Sequence, residues 1–227
     1  MKKRYFTALM ALAVLLGTLG GCARTQSGPA DEAPAEAAGP VALTAEEIAR
    51  VNRAFVPNFE KDGWVDVNPL CCMVSCFYAE PEDIDLSAFL AYSFAVERGP
   101  EWEPVGEKEF QALREQADWL GESLDAWRTP ISRIPRARVD AFLEKYTGIT
   151  TADLTAPWTA YKLVYLEEYD AYYNFTSDFN PGCFTCEEGV RDGGTVRLTG
   201  HGRELVLEEQ ADGSWYFVSF LLTEAEK

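Results

Sequence analysis

TVRLTGHGRELVLEEQADGSWYFVSFLL, residues 195–222, decides the fold. Val196 and Leu198 alternate with Arg197 and Thr199, Leu205 and Leu207 alternate with Val206 and Glu208, and Trp215–Leu222 is an aromatic and β-branched run. A period of two lines one face of a strand with apolar groups, so these runs predict antiparallel strands. Asp192-Gly193-Gly194, Gly200-His201-Gly202 and Asp212-Gly213 lie between them and supply the positive backbone angles of tight hairpins. A meander of four or five strands leaves one face that needs cover.

Toward the N-terminus the period changes to that of helices. Thr44 and Glu47 fit a capping box, with Leu43 placed to staple onto Ile48. Ile48, Val51 and Phe55 then share a face before Pro57. Asn68-Pro69 predicts a second helix carrying Leu70, Val74 and Phe77 as far as Pro81. Asp83 or Asp85 caps a third, whose Leu86, Phe89, Leu90 and Phe94 are apolar enough for a central position. Phe110, Leu113, Ala117 and Leu120 form a further stripe. Pro135 opens the next helix, with Val139, Phe142, Leu143 and Tyr146 on its buried side and Gly148 as its left-handed cap. The expectation is one α+β domain over residues 43–227, helical over 43–157 and mainly β over 171–222, with N-terminal helices packed on the C-terminal antiparallel meander.

The start of the chain concerns address rather than fold. Lys2, Lys3 and Arg4 precede the apolar run Phe6–Leu16, and Leu19-Gly20-Gly21-Cys22 reads as a lipobox, so residues 1–21 are expected to be a lipoprotein signal peptide. The apolar run is short of the ~20 residues of a comfortable transmembrane span. Acyl chains of the palmitate type on Cys22 would anchor the protein to the outer face of a cell membrane. Residues 22–42, dominated by Ala, Pro, Gly, Ser and Glu, read as a disordered tether reaching roughly 25 Å.

The formal charge of −17 includes the three positive residues of the signal, so the exported chain is more acidic still. Such a surface repels phosphate backbones and anionic headgroups. Nucleic acid is therefore excluded as a partner, and membrane attachment falls to the lipid.

Tyr161, Tyr165, Tyr169 and Tyr172 recur near helical spacing, while Tyr173, Phe175 and Phe179 alternate, so this segment reads as a helix-to-sheet junction. Tyr165, Glu167, Tyr169, Asp170, Tyr172, Tyr173, Asp178 and Asn180 are the candidate binding residues, since aromatic faces beside carboxylates suit a sugar or a polar pocket. The competing reading is a core hinge whose phenols hydrogen-bond to nearby backbone and carboxylates.

Cys71, Cys72 and Cys76 on one predicted helix, with Cys183 and Cys186, are read as buried thiols or disulfides ahead of a Cys72/Cys76/Cys183/Cys186 zinc site, because exported proteins oxidise thiols more often than they load zinc. No metal or cofactor is expected. Arg128, Arg133, Arg136 and Arg138 form a basic cluster, with the last three crowding the first turns of a helix; pairing with carboxylates is preferred to an anion site. His201 sits between two glycines, where a turn role outweighs a catalytic one. No G-x-S-x-G, H-E-x-x-H or glycine-rich phosphate loop occurs, so no catalytic residue is assigned.

The lipobox, Leu43-Thr44, Pro81-Glu82-Asp83-Ile84, Tyr165-Leu166-Glu167-Glu168-Tyr169-Asp170-Ala171-Tyr172-Tyr173 with Asp178 and Asn180, and Trp215-Tyr216-Phe217-Val218-Ser219 give the chain a resemblance. It resembles a family of lipoproteins from gut Firmicutes with no established reaction, from Leu43 to the C-terminus. Ile134–Gly148 fits that pattern more loosely, and the five cysteines after Cys22 fall outside it. The resemblance implies the outer face of a Gram-positive cytoplasmic membrane. The functional expectation is a lipid-anchored extracellular module that binds a protein or glycan; the alternative is a glycan-active enzyme using Asp and Glu carboxylates, which requires a suitably spaced pair.

Overall fold

The computed structural model describes residues 39–61, 64–91, 104–155, 162–175 and 182–223. The expected signal peptide, Cys22, most of the expected tether, and Phe94, Tyr161, Asp178, Phe179 and Asn180 lie outside these residues.

The architecture is α+β. Strands β7 (Glu188–Asp192), β8 (Thr195–Gly200), β9 (Arg203–Glu209) and β10 (Trp215–Leu222) form the meander, and β1 (Val41–Ala42) adds antiparallel to β7. The resulting five-stranded sheet runs β1-β7-β8-β9-β10. The last two residues assigned to the tether are thus part of the sheet, held by the edge of β7 despite their bland composition. The turns fall at the expected Gly positions, and His201 itself takes φ 49°. A register shift between Phe217 and Ser219 lets Phe217 and Phe220 both oppose inward residues, Leu207 and Leu205. Without that bulge the strict alternation would turn one of the two rings outward.

Helix α1 (Ala45–Ala54) begins at the capping box, with Glu47 Oε2 accepting from the Thr44 N–H at 2.8 Å. Arg191 of β7 donates to Glu47 at 2.7 Å and to Glu209 of β9 at 3.2 Å, fastening the helix start to the sheet. Asn52 completes the attachment with a pair of bonds to the backbone of Cys186, at 3.0 and 2.7 Å. After α1 a hairpin of β2 (Asn58–Lys61) and β3 (Trp64–Val67) lies in the stretch expected to be helical.

The helix expected after Asn68 is a 3-10 helix over Pro69–Val74, so Cys76 and Phe77 lie beyond it and the three cysteines share no α-helical face. Asp85 caps α2 (Leu86–Phe89), accepting from the backbone of Ser87 and Ala88. Helix α3 (Glu107–Gln116) follows, then β4 (Ser132–Pro135) and α4 (Arg136–Thr147), which ends at Gly148 with φ 74°. Only glycine takes that left-handed position without cost. Pro135 is at once the end of β4 and the cap of α4, so Arg133 belongs to a strand and not to the helix.

The tyrosine segment is a hairpin, not a helix-to-sheet junction. β5 (Leu163–Leu166) and β6 (Ala171–Asn174) pair antiparallel around a 3-10 turn at Glu167–Tyr169, and β4 completes a sheet of order β4-β6-β5. Three- and four-residue spacing of tyrosines arises here from two strands and the turn joining them.

Two apolar cores result. The first gathers Phe55, Val139, Leu143, Phe184, Leu198, Leu205, Phe217 and Phe220 with α4 lying along β10. Phe55 meets Phe184 and Phe217 edge to face at 5.8 and 6.0 Å, the preferred quadrupole geometry. The second packs Phe110, Leu113 and Ala117 of the α3 segment on Val164, Leu166, Tyr173 and Phe175. The three-stranded sheet divides them: Tyr172 faces the first core and Tyr173 the second.

Candidate functional site

The β5–β6 turn is built around Asp170, which takes φ 45° and ψ 48°. Aspartate tolerates this left-handed conformation better than most residues, and here its other groups are all used. Its carbonyl accepts the Arg136 N–H at 2.9 Å, satisfying one of the orphan donors at the start of α4. Its carboxylate accepts from Arg136 Nε at 2.6 Å, Arg136 Nη2 at 3.4 Å and the Tyr165 hydroxyl at 2.7 Å. Arginine at a helix start opposes the dipole, and Asp170 offsets that cost. The Arg136 and Tyr165 bonds hold the Asp170 carboxyl below its usual range. Tyr165 moves up in turn, first because its proton is shared with Asp170.

On the other face the Tyr173 hydroxyl donates to Glu109 Oε1. Arg133, opposite Tyr173 in the β4–β6 register, reaches the same oxygen at 3.4 Å. The second carboxylate oxygen of Glu109 accepts from the Gly106 N–H, also at 3.4 Å. Glu109 is 5% exposed and Tyr173 0%, so this cluster is closed to any substrate-sized molecule. Burial first, then the Glu109 hydrogen bond and charge, push the Tyr173 phenol well above its ordinary value and keep it a neutral donor. Asn174, the next residue, donates to the carbonyls of Leu90 and Ala91, each at 2.6 Å.

The candidate set is therefore divided. Tyr172 and Tyr173 are buried, Tyr165 and Tyr169 are half-buried, and Glu167 and Asp170 are exposed at the turn. Of the clustered arginines, Arg133 pairs with Glu109 and Arg136 with Asp170. Periodicity missed Glu109: it stands beside Phe110 on a helix whose first turn also carries Glu107, and nothing local separates the buried acid from the exposed one.

A second feature is an open hollow of about 380 Å³ at the β8–β9 turn, lined by Glu187, Glu188, Thr199, His201, Arg203 and Thr223 among others. Glu187 accepts the His201 backbone N–H at 3.0 Å and lies 3.7 Å from its Nδ1, while Arg203 donates to the Cys183 carbonyl at 3.0 Å. The polar groups of this hollow thus serve the turn first.

All five cysteines described are free thiols. Burial pushes Cys71 up to about 12 and Cys76 to about 11, and Cys72 higher than either, which keeps their thiolate fractions small near neutrality. Among the described residues no group of three or more His, Cys, Asp or Glu side chains is placed to hold a metal ion, so Cys72, Cys76, Cys183 and Cys186 are not gathered into the zinc arrangement considered above. No helix among those residues is long and apolar enough to cross a membrane. No protein-family model matches the chain, and neither a curated protein nor a solved structure is significantly similar to it.

Proposed function

We propose that this chain is a lipid-anchored binding module on the outer face of a cell membrane. The observation that carries the reading is Leu19-Gly20-Gly21-Cys22 behind a basic start and a short apolar run, with some twenty small and polar residues before the folded body. Acyl chains on Cys22 hold the protein at the membrane, and the acidic body stands off the anionic headgroups. The resemblance to lipoproteins of gut Firmicutes supports the same address.

A binding role is favoured over acid–base chemistry because Glu109, Tyr173, Asp170 and Tyr165 spend their polar atoms on one another and on Arg133 and Arg136. The part of the tyrosine segment that solvent reaches, Tyr165, Glu167, Tyr169 and Asp170, is the surface assigned to a protein or glycan ligand, with Asp178 and Asn180 following in the sequence.

Metabolic labelling with a fatty-acid analogue tests the anchor: Cys22→Ala abolishes incorporation and releases a folded protein, and persistent labelling defeats the lipobox reading. An array of envelope and host glycans tests the ligand surface. Glu167→Ala, at an exposed position of the turn, lowers capture at least tenfold while the melting temperature holds; unchanged capture removes this surface from consideration.

A further inference from the structure

Cys71 and Cys183 come from distant parts of the chain, and Gly182, the residue before Cys183, packs against the backbone of the helix that carries Cys71. Gly182 lies so close to the 3-10 helix Pro69–Val74 that a Cβ there would fall 2.4 Å from the Val74 carbonyl oxygen and 2.7 Å from that of Cys71. Only glycine allows this approach, and it sets Cys183 one residue from the helix that carries Cys71. The remaining cysteines are engaged elsewhere: Cys72 and Cys186 belong to the first apolar core and Cys76 packs against it, whereas Cys71 and Cys183 are not part of it. Cys71 is buried with its thiol 3.8 Å from the Phe55 carbonyl, and Cys183 is exposed. The Cys183 thiol is near enough to act on Cys71, raising it further after burial has done most. Arg203, bonded to the Cys183 carbonyl, holds the loop in place.

We propose that Cys71 and Cys183 are a disulfide pair that fastens the Pro69–Val74 helix to the segment leading into β7. A bridge needs Cα atoms about 4.4–6.8 Å apart, a range that backbone contact one residue away brings within reach. The oxidant is a small-molecule disulfide, RSSR. The exposed Cys183 thiolate attacks one of its sulfurs, forming Cys183–S–S–R and expelling one thiolate. Cys71 then loses its proton and attacks the Cys183 sulfur, expelling the second. Two protons leave the protein, and the two electrons removed from it reduce RSSR to two RSH. The occurrence of the bridge in the cell rests on the extracytoplasmic address proposed above, where chains meet oxidants; its chemistry in solution does not.

The full chain, incubated with oxidised glutathione and digested without reduction, tests the pairing by fragment-ion mass spectrometry. A Cys71–Cys183 link is expected, retained in Cys186→Ser and lost in Cys183→Ser, a surface substitution that leaves the fold intact. Closure of the purified Cys183–glutathione adduct is expected to accelerate about tenfold per pH unit, because the attacking group is a Cys71 thiolate scarce below pH 12. A lasting adduct with Cys71 still free, or a link from Cys183 to Cys72 or Cys76, overturns the proposal. Loss of lipid labelling at Cys22 would instead defeat the address alone.

Discussion

Along the five-stranded sheet the buried side chains are Val196, Leu198, Leu205, Val206, Leu207, Phe217, Ser219 and Phe220, apolar but for one serine, whereas the central strand of the three-stranded sheet buries Ala171, Tyr172, Tyr173 and Asn174, every residue of its length. The first sheet covers one face and leaves Thr195 and Arg197 on the other. The second has a core on each side, so consecutive residues are all buried and their polar atoms must find partners inside. Glu109, itself paired with Arg133, accepts from Tyr173; the carbonyls of Leu90 and Ala91 accept from Asn174. Both sheets rest on apolar packing, which tolerates rearrangement, and the interior of the second adds directed bonds, which do not.

The largest effect is expected where packing alone operates. Phe217→Ala removes a ring that touches Phe55 and Tyr146, and unfolding in denaturant should show a loss of about 3–5 kcal/mol. Leu207→Met, nearly equal in volume, should cost less than about 1.5 kcal/mol in the same assay. A costly Leu207→Met would break the contrast from the apolar side.

Tyr173→Phe is the matching change in the other sheet. It preserves shape and deletes only the hydroxyl that Glu109 accepts, yet a loss of about 1–3 kcal/mol is expected because a buried carboxylate oxygen loses a donor. Equal stability of Tyr173→Phe and the parent would mean that directed bonding does not distinguish the two sheets.

Helix α4 joins the regions, opening at the Arg136–Asp170 pair and closing at Gly148 beside β10. A Cβ at Gly148 would meet Tyr216 Cε2 at an ordinary 3.6 Å, so Gly148→Ala tests backbone strain without a clash. A thermal melt should register about 1 kcal/mol of destabilisation.

The smallest effect concerns the surface pairs of the first sheet. Thr44 and Arg191 hold Glu47 down to about 2, first through the Thr44 backbone bond. A depressed carboxyl contributes stability that is complete above the ordinary carboxylate value and is lost as pH falls through about 2. An acid titration of Glu47→Gln should therefore have a flatter limb between those limits than the parent. Parallel limbs would show that the cap and the Arg191 bridge add nothing measurable.

Much of the first sheet was legible because its signals are local. Alternation in β8, the Gly-containing turns, the Thr44/Glu47 box and the Gly148 cap each act within a few residues, whereas in β9 Val206, expected to alternate outward, is buried with Leu205 and Leu207. Reading failed where one pattern fits two structures. Tyr165, Tyr169 and Tyr172 match helical spacing, yet Tyr165 lies in β5, Tyr172 in β6 and Tyr169 in the turn between them, because both faces of that sheet are covered and β-pairing satisfies the backbone. The Asn68–Val74 segment begins with the expected Asn-Pro start but closes as a short 3-10 helix. Of the candidate site, residue types were visible and directions were not: Tyr172 and Tyr173 are adjacent in the chain and belong to different cores.

Composition, period and turn chemistry were enough for the α+β class, the order of the meander strands, the start of α1, the end of α4 and the expectation of an exported, acidic, lipid-bearing chain, because each is set by neighbours along the backbone. The burial of Glu109, its meeting with Tyr173 from 64 residues away, the Asp170–Arg136 clasp and the approach of Gly182 to Cys71 belong to the folded body. Each depends on which elements pack together, and no local periodicity carries the identity of a partner on the far side of a core.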